Sequence, residues 1–123
     1  MIISRTPFRI SYVGGGSDLP AYYREHGGAV LSSTIAKYLY VSSHDYFEAG
    51  QIRTKYSSTE TVSSVAELQH PLLRAILTRL QLSTGLEISS IADVPAGTGM
   101  GSSSSFTVGT LHNLMARIGR SDE

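Results

Sequence analysis

The chain has 123 residues, 41% of them apolar and 16% charged, which suits one domain with a real core and is too short for two. Ten basic and ten acidic side chains cancel, excluding a broad electrostatic footprint for nucleic acid or a basic face for membranes. Without cysteine there is no disulfide scaffold, thiol nucleophile or Cys-ligated zinc. No signal-peptide pattern opens the chain and no run nears ~18 apolar residues, so the expectation is a soluble cytoplasmic protein.

The segment from Ile2 to Tyr12 reads as a strand, with Pro7 marking an edge, bulge or break. Gly14-Gly15-Gly16 ends it. Ser17 or Asp18 then serves as N-cap of a short helix with Pro20 in its first turn and Gly27-Gly28 at its end. Residues 29–46 are β-rich, with a bend near Ser32-Ser33-Thr34. After a turn at 47–50, the segment from Ile52 to Ser57 returns as an antiparallel partner. The polar stretch from Ser57 to Ser64 reads as loop. Leucines and isoleucines at helical spacing predict a helix over 67–82, or from about His70 if Pro71 lies in its first turn. Residues 86–94 form a strand with a bulge at Ser89-Ser90. A last helix runs from about Ser103 to Ile118, with Val108, Leu111, Leu114, Met115 and Ile118 on one face. This order is not a regular βαβ alternation. It predicts an α+β domain with a mixed, mostly antiparallel sheet packed by helices.

Between the last strand and the last helix lies P-A-G-T-G-M-G-S-S-S-S, Pro95 to Ser105. Glycines at every second position let a ligand approach the main chain. Serines at a helix mouth bring backbone N–H groups that lack intrahelical partners, at the positive end of the helix dipole. The stretch thus reads as a phosphate cradle, or as a flexible Gly/Ser linker. No lysine follows Gly101, so it is not a Walker A sequence. A cradle of this kind relies on backbone, serine hydroxyls and a metal ion, with Ser102 or Ser103 a reasonable Mg²⁺ ligand.

This loop resembles the nucleotide-phosphate loop of the GHMP small-molecule kinases, P-x-x-x-G-[LM]-[GS]-S-S-[AS]; Pro95, Gly97, Gly99, Met100, Gly101, Ser102 and Ser103 match. About 80 residues earlier, the segment from Thr6 to Asp18 is similar to the family's first motif, x-P-x-R-[IV]-x-[LF]-x-G-x-x-[ST]-D. The G-G-G-S-D-L-P variant and Q-H-P-L-L-R-A from Gln69 to Ala75 resemble the branch of D-glycero-D-manno-heptose 7-phosphate kinases. The resemblance implies the family's N-terminal domain, a ribosomal-protein-like β-α fold over 1–123. It also implies ATP and Mg²⁺ as cofactors and a sugar phosphate as substrate, with a hexose or mevalonate as alternatives.

By the same resemblance, Pro95, Gly97, Gly99, Met100, Gly101, Ser102, Ser103 and Ser104 hold the triphosphate and Ser102 or Ser103 meets Mg²⁺. Gly14, Gly15, Gly16, Ser17 and Asp18 hold the sugar, and Arg9 stabilises charge at the reacting phosphoryl. Taken alone, Arg9 also reads as a strand-surface arginine and Asp18 as a helix cap. His44, His70 and His112 read as surface or cap residues, and Asp93 as a strand-end turn residue. The family's catalytic-base segment, its third motif and its C-terminal domain have no counterpart here. The sequence therefore reads as a truncated part of such a kinase with little activity of its own, or as a non-catalytic binding remnant.

Overall fold

The computed structural model describes residues 1–120; Ser121-Asp122-Glu123, part of the domain expected over 1–123, lie outside them. Strand β1 spans Ile2–Val13 and β2 spans Leu31–Asp45, paired antiparallel. Pro7 neither ends nor splits β1. Register instead slips beside it: Pro7 pairs with Tyr38 and Arg9 with Thr34, leaving Phe8 opposite residues 35–37. Strand β2 runs unbroken through the bend expected at 32–34, with register shifts on either side of it, between Pro7 and Arg9 and between Ser11 and Val13. A regular strand sends neighbours to opposite faces. Here Phe8 is fully buried in the core while Arg9, next to it, lies against Gly101 at the mouth of the last helix.

A 3-10 turn, Gly15–Asp18, follows β1 and leads to helix α1, Pro20–His26. Neither Ser17 nor Asp18 caps this helix. Leu19 holds the cap position without a side-chain bond, because the 3-10 turn consumes residues 15–18 and Pro20 suits the first helical position.

Strands β3, Ile52–Lys55, and β4, Thr59–Val62, precede helix α2, Pro71–Arg79. Strand β5, Leu86–Ala92, and helix α3, Ser102–Arg117, complete the order. The sheet runs β1-β2-β5-β3-β4. Strand β3 is therefore not the hairpin partner of β2. Strand β5 inserts between them, antiparallel to β2 and parallel to β3, and the connection through β4 and α2 is long enough for a parallel crossover. The stretch expected as loop contains β4, whose Thr59-Glu60-Thr61-Val62 composition suits an edge strand with a wet face. No bulge occurs at Ser89-Ser90: β5 pairs with β2 residue for residue from Leu39↔Ala92 to Asp45↔Leu86.

The core joins Phe8, Leu39, Val41, Ile52, Leu86 and Ile88 of the sheet to Leu73, Ile76 and Leu77 of α2 and to Phe106 and Leu114 of α3. The face α3 buries matches its apolar spacing only in part: Leu114 is buried and Leu111 packs on the core, but Val108 is 58% exposed, while Ser105, Gly109, Thr110 and Asn113 are buried. Small residues let the helix press onto β1, where a Cβ on Gly109 would fall 2.6 Å from Thr6 Oγ1. Asn113 Nδ2 donates to the carbonyls of Ile2 and Val41, and its Oδ1 accepts from Ser43 Oγ at 2.5 Å. The result is the expected α+β domain with a mixed, mostly antiparallel sheet. Among the described residues, no helix is long and apolar enough to cross a membrane.

Candidate functional site

The glycine-serine stretch is a built loop, pinned to the sheet. The N–H of Arg9 donates to Met100 O at 3.1 Å, the Met100 side chain packs on the core, and Ser105 Oγ donates to Pro7 O at 3.1 Å. Gly97, Gly99 and Gly101 all take positive φ, of 81°, 73° and 74°. At Gly97 and Gly99 the space a Cβ would occupy is open. At Gly101 a Cβ would lie 3.1 Å from Cγ of Arg9, whose guanidinium is held by a 2.9 Å bond from Nη1 to Ser11 Oγ.

Gly101 is the N-cap of α3 and makes no side-chain cap bond. The first intrahelical bond runs from Ser105 N to Gly101 O, so the N–H groups of Ser102, Ser103 and Ser104 point out of the helix mouth. Among the described residues, no hydrogen bond engages the hydroxyls of these three serines. Backbone donors, free hydroxyls and the helix dipole converge there, with the Arg9 side chain against Gly101.

The same helix mouth opens into a cavity of about 460 Å³. Pro95, Ala96, Ser102 and Ser103 form its loop side; Leu39, Ala92 and Val94 form an apolar floor. Its third wall is aromatic. His70 stacks on Phe106 at 4.9 Å, and Tyr56 meets His70 edge-on at 4.7 Å. The Tyr56 hydroxyl donates to Glu60, which also accepts from Gln69 N–H at 2.8 Å. That bond holds the Glu60 carboxyl below its ordinary range and raises the Tyr56 phenol. Burial lowers the His70 imidazole pKa, against the opposing pull of the Glu60 charge.

A second concavity, about 610 Å³, lies at the other end of β1 and is lined by Ser17, Asp18, Tyr23, Gly28, Ala29 and Val30. Gly14 shapes it. Its φ is +89°, and a Cβ there would lie 2.0 Å from Ala29 O, so only glycine fits. Ser17 Oγ donates to Gly14 O and Ala29 O and accepts from Ala29 N, tying the turn to the start of β2. Gly15 and Gly16 have open space where a side chain would stand. Asp18 is exposed, and no hydrogen bond among the described residues uses its carboxylate.

The structure thus brings Arg9 to the loop from Pro95 to Ser104, and Ser17 and Asp18 to a separate hollow. No hydrogen bond or ion pair among the described residues joins the two groups directly; the paired strands β1 and β2 run between them. Asp93 is the strand-end residue expected of it, accepting from Tyr38 N through its carboxylate at 2.8 Å. His112 is exposed, and His44 lies 3.8 Å from Glu87. His70 does cap α2, through Nδ1. Its place in the cavity wall, with Tyr56 and Phe106, escapes sequence reading because the three lie on separate elements. Among the described residues no cluster of His, Cys, Asp and Glu could hold a metal ion, so any cation at the helix mouth would rest on serine hydroxyls and phosphate oxygens.

Comparisons with known proteins bear on the family and the fold. Residues 61–121 match the family model described as the GHMP kinases N terminal domain. A curated relative, the D-glycero-alpha-D-manno-heptose 7-phosphate kinase of Campylobacter jejuni, is 27% identical over 89% of this chain and 36% of its own length. The chain therefore spans little more than a third of the curated relative it matches. A crystal structure titled as a D-glycero-D-manno-heptose 1-phosphate kinase from Bacteroides thetaiotaomicron superposes with a TM-score of 0.82 at 25% identity, over 97% of this chain and 42% of that one. The galactokinase of Lactococcus lactis, solved with galactose, shares the fold at a TM-score of 0.71 and 15% identity, over 99% of this chain and 34% of that one. The two motifs in order, the sheet topology and the family match all point one way: the chain belongs to the GHMP kinase superfamily, as its N-terminal domain.

Proposed function

We propose that this chain is the nucleotide- and sugar-binding part of an ATP-dependent kinase whose acceptor is D-glycero-D-manno-heptose 7-phosphate, working in the cytoplasm where ATP is available. The observation that carries this reading is the helix mouth of α3: its free serine groups open directly into an aromatic-walled cavity of about 460 Å³. A nucleotide fits that pairing, with the base against His70 and Phe106 and the phosphates at Gly97, Gly99 and Gly101 to Ser104. Ser102 and Ser103 are the residues whose hydroxyls would hold Mg²⁺, which when bound would supply neutralisation of phosphate charge. Arg9, against Gly101, faces the phosphates and stabilises charge in transfer. The hollow beside Gly14 to Asp18 takes the sugar, Asp18 accepting from its hydroxyls. In the reaction a sugar hydroxyl oxygen bonds to the γ-phosphorus, the bond to the β,γ-bridging oxygen breaks, ADP leaves and the hydroxyl proton is released. The group that takes the proton is not assigned to a residue of this chain.

Binding tests the reading without requiring turnover. Calorimetry with ATP·Mg²⁺ and ligand-observed NMR with heptose 7-phosphate, galactose and mevalonate should give one nucleotide site and a separate sugar-phosphate site, occupied together. Absence of nucleotide binding would end the kinase reading. Binding of mevalonate but no sugar would end the heptose assignment alone.

A further inference from the structure

The ring of His70 does two things at once. Its Nδ1 accepts the N–H of Leu73 at 3.4 Å, capping α2, and its face stacks on Phe106 in the wall of the 460 Å³ cavity. A nitrogen that accepts carries no proton, so the neutral ring bears its hydrogen on Nε2. Among the described residues no side chain accepts from Nε2, and the ring's remaining polar neighbour is the backbone of His70 itself. Tyr56 cannot substitute as a donor to the cavity, because its hydroxyl is given to Glu60. We propose that His70 is a specificity-determining residue of the nucleotide pocket, its cap bond to α2 fixing the tautomer that offers Nε2–H to an acceptor nitrogen of the purine. This deepens the kinase reading above and rests on it.

The arrangement couples the helix to the ligand. Protonation would add a hydrogen at Nδ1 facing the Leu73 N–H, opposing two donors and breaking the cap. The ionisable groups around the ring are Glu60 on β4 and Tyr56 after β3; α3 presents Phe106, Ser102 and Ser103, none of them charged, and Arg74 of α2 turns to Leu68 O. Burial dominates over the Glu60 charge, so the ring stays neutral below its ordinary pKa of 6.5. With the folded pKa depressed, this contribution to stability is whole above about 6.5 and is lost as pH falls from there through the folded value.

Two substitutions separate the nitrogens. His70→Asn places an acceptor where Nδ1 stands and removes the Nε2 donor; His70→Gln extends an amide toward Nε2 and gives up the cap. Calorimetry with ATP and its 1-deaza, 3-deaza and 7-deaza analogues reads the pocket, and thermal melts read the helix. The expected result is that one deaza analogue binds wild-type protein three- to tenfold more weakly than ATP, the range of one hydrogen bond. That penalty should vanish in His70→Asn, whose melting temperature should fall less than that of His70→Gln because the cap is kept though the ring contacts are lost. In His70→Gln part of the penalty should remain while the melting temperature falls. If wild type binds ATP with the same analogue profile as His70→Asn, His70 does not read the base and the proposal fails while the kinase reading stands. If wild type binds no nucleotide, both fall.

Discussion

Replacing Gly101 by alanine tests whether Arg9 and the loop act as one piece. The perturbation has two parts. At φ +74° an alanine carries the left-handed penalty of about 1–2 kcal/mol. Its Cβ would also stand 3.1 Å from Arg9 Cγ and 3.3 Å from Nε, so the arginine stem must move by a few tenths of an ångström. Gly99→Ala isolates the first part, because φ is +73° there and the space for a Cβ is open. In a domain of this size both variants should lose about 1–2 kcal/mol, or roughly 3–8 °C in melting temperature. Only Gly101→Ala should also displace the guanidinium. The assay is urea unfolding for stability, with ATP·Mg²⁺ calorimetry and the Arg9 Nε–H resonance for the site. Gly101→Ala should bind the nucleotide about tenfold more weakly than Gly99→Ala, since a charge-assisted contact to phosphate contributes about 1.5–3 kcal/mol. Equal affinities with an unmoved Arg9 resonance would refute the claim that Gly101 positions Arg9.

Asn113→Ala removes the partner of Ser43 and of two buried carbonyls, so it should cost about 2–4 kcal/mol in urea unfolding; a loss under 1 kcal/mol would mean that water replaces the amide. Glu87 is buried and accepts from Lys55 Nζ at 2.5 Å, which holds its carboxyl pKa below the usual value. That stabilisation is complete above the unfolded value of about 4.5 and is lost as pH falls through the depressed folded value. Lys55→Met should therefore cost about 1–2 kcal/mol at neutral pH, less than for a fully buried pair because Lys55 is 43% exposed. It should also move the acid loss to higher pH, and an unchanged stability-pH curve would show that His44 and Arg53 suffice.

What the sequence revealed and what it hid divide along a physical line. Gly14, Gly97, Gly99 and Gly101 were legible because a positive φ leaves a mark on a single residue. Pro71 placed the start of α2 for the same local reason. The partner of β3 was not legible: Ile52 and Thr54 are buried against a strand 30 residues later, and the intervening turn signals describe only the nearest neighbour. The buried face of α3 was legible at Leu111 and Leu114 and missed elsewhere, because Gly109, Thr110 and Asn113 are small or polar. Their burial is satisfied by close packing and by carbonyls of β1 and β2, which no count of apolar residues reveals. The wall of Tyr56, His70 and Phe106 assembles only when three elements meet.

Strand β1 is also a measuring rod. Its residue 9 is bolted to the glycine-serine loop through Met100, and Gly14, just past its end, is locked to Ala29 by a contact only glycine permits. Five steps of extended chain, roughly 16 Å at ~3.3 Å each, therefore set the gap between the two hollows. Insertion of one residue between them would lengthen the gap and also turn the next side chains to the opposite face. The spacing of Arg9 and Gly14 is thus a quantity that substitution can decorate and that insertion or deletion cannot adjust. On the function proposed above, changes of acceptor size on this scaffold come from the walls of the hollow at Tyr23, Gly28 and Val30.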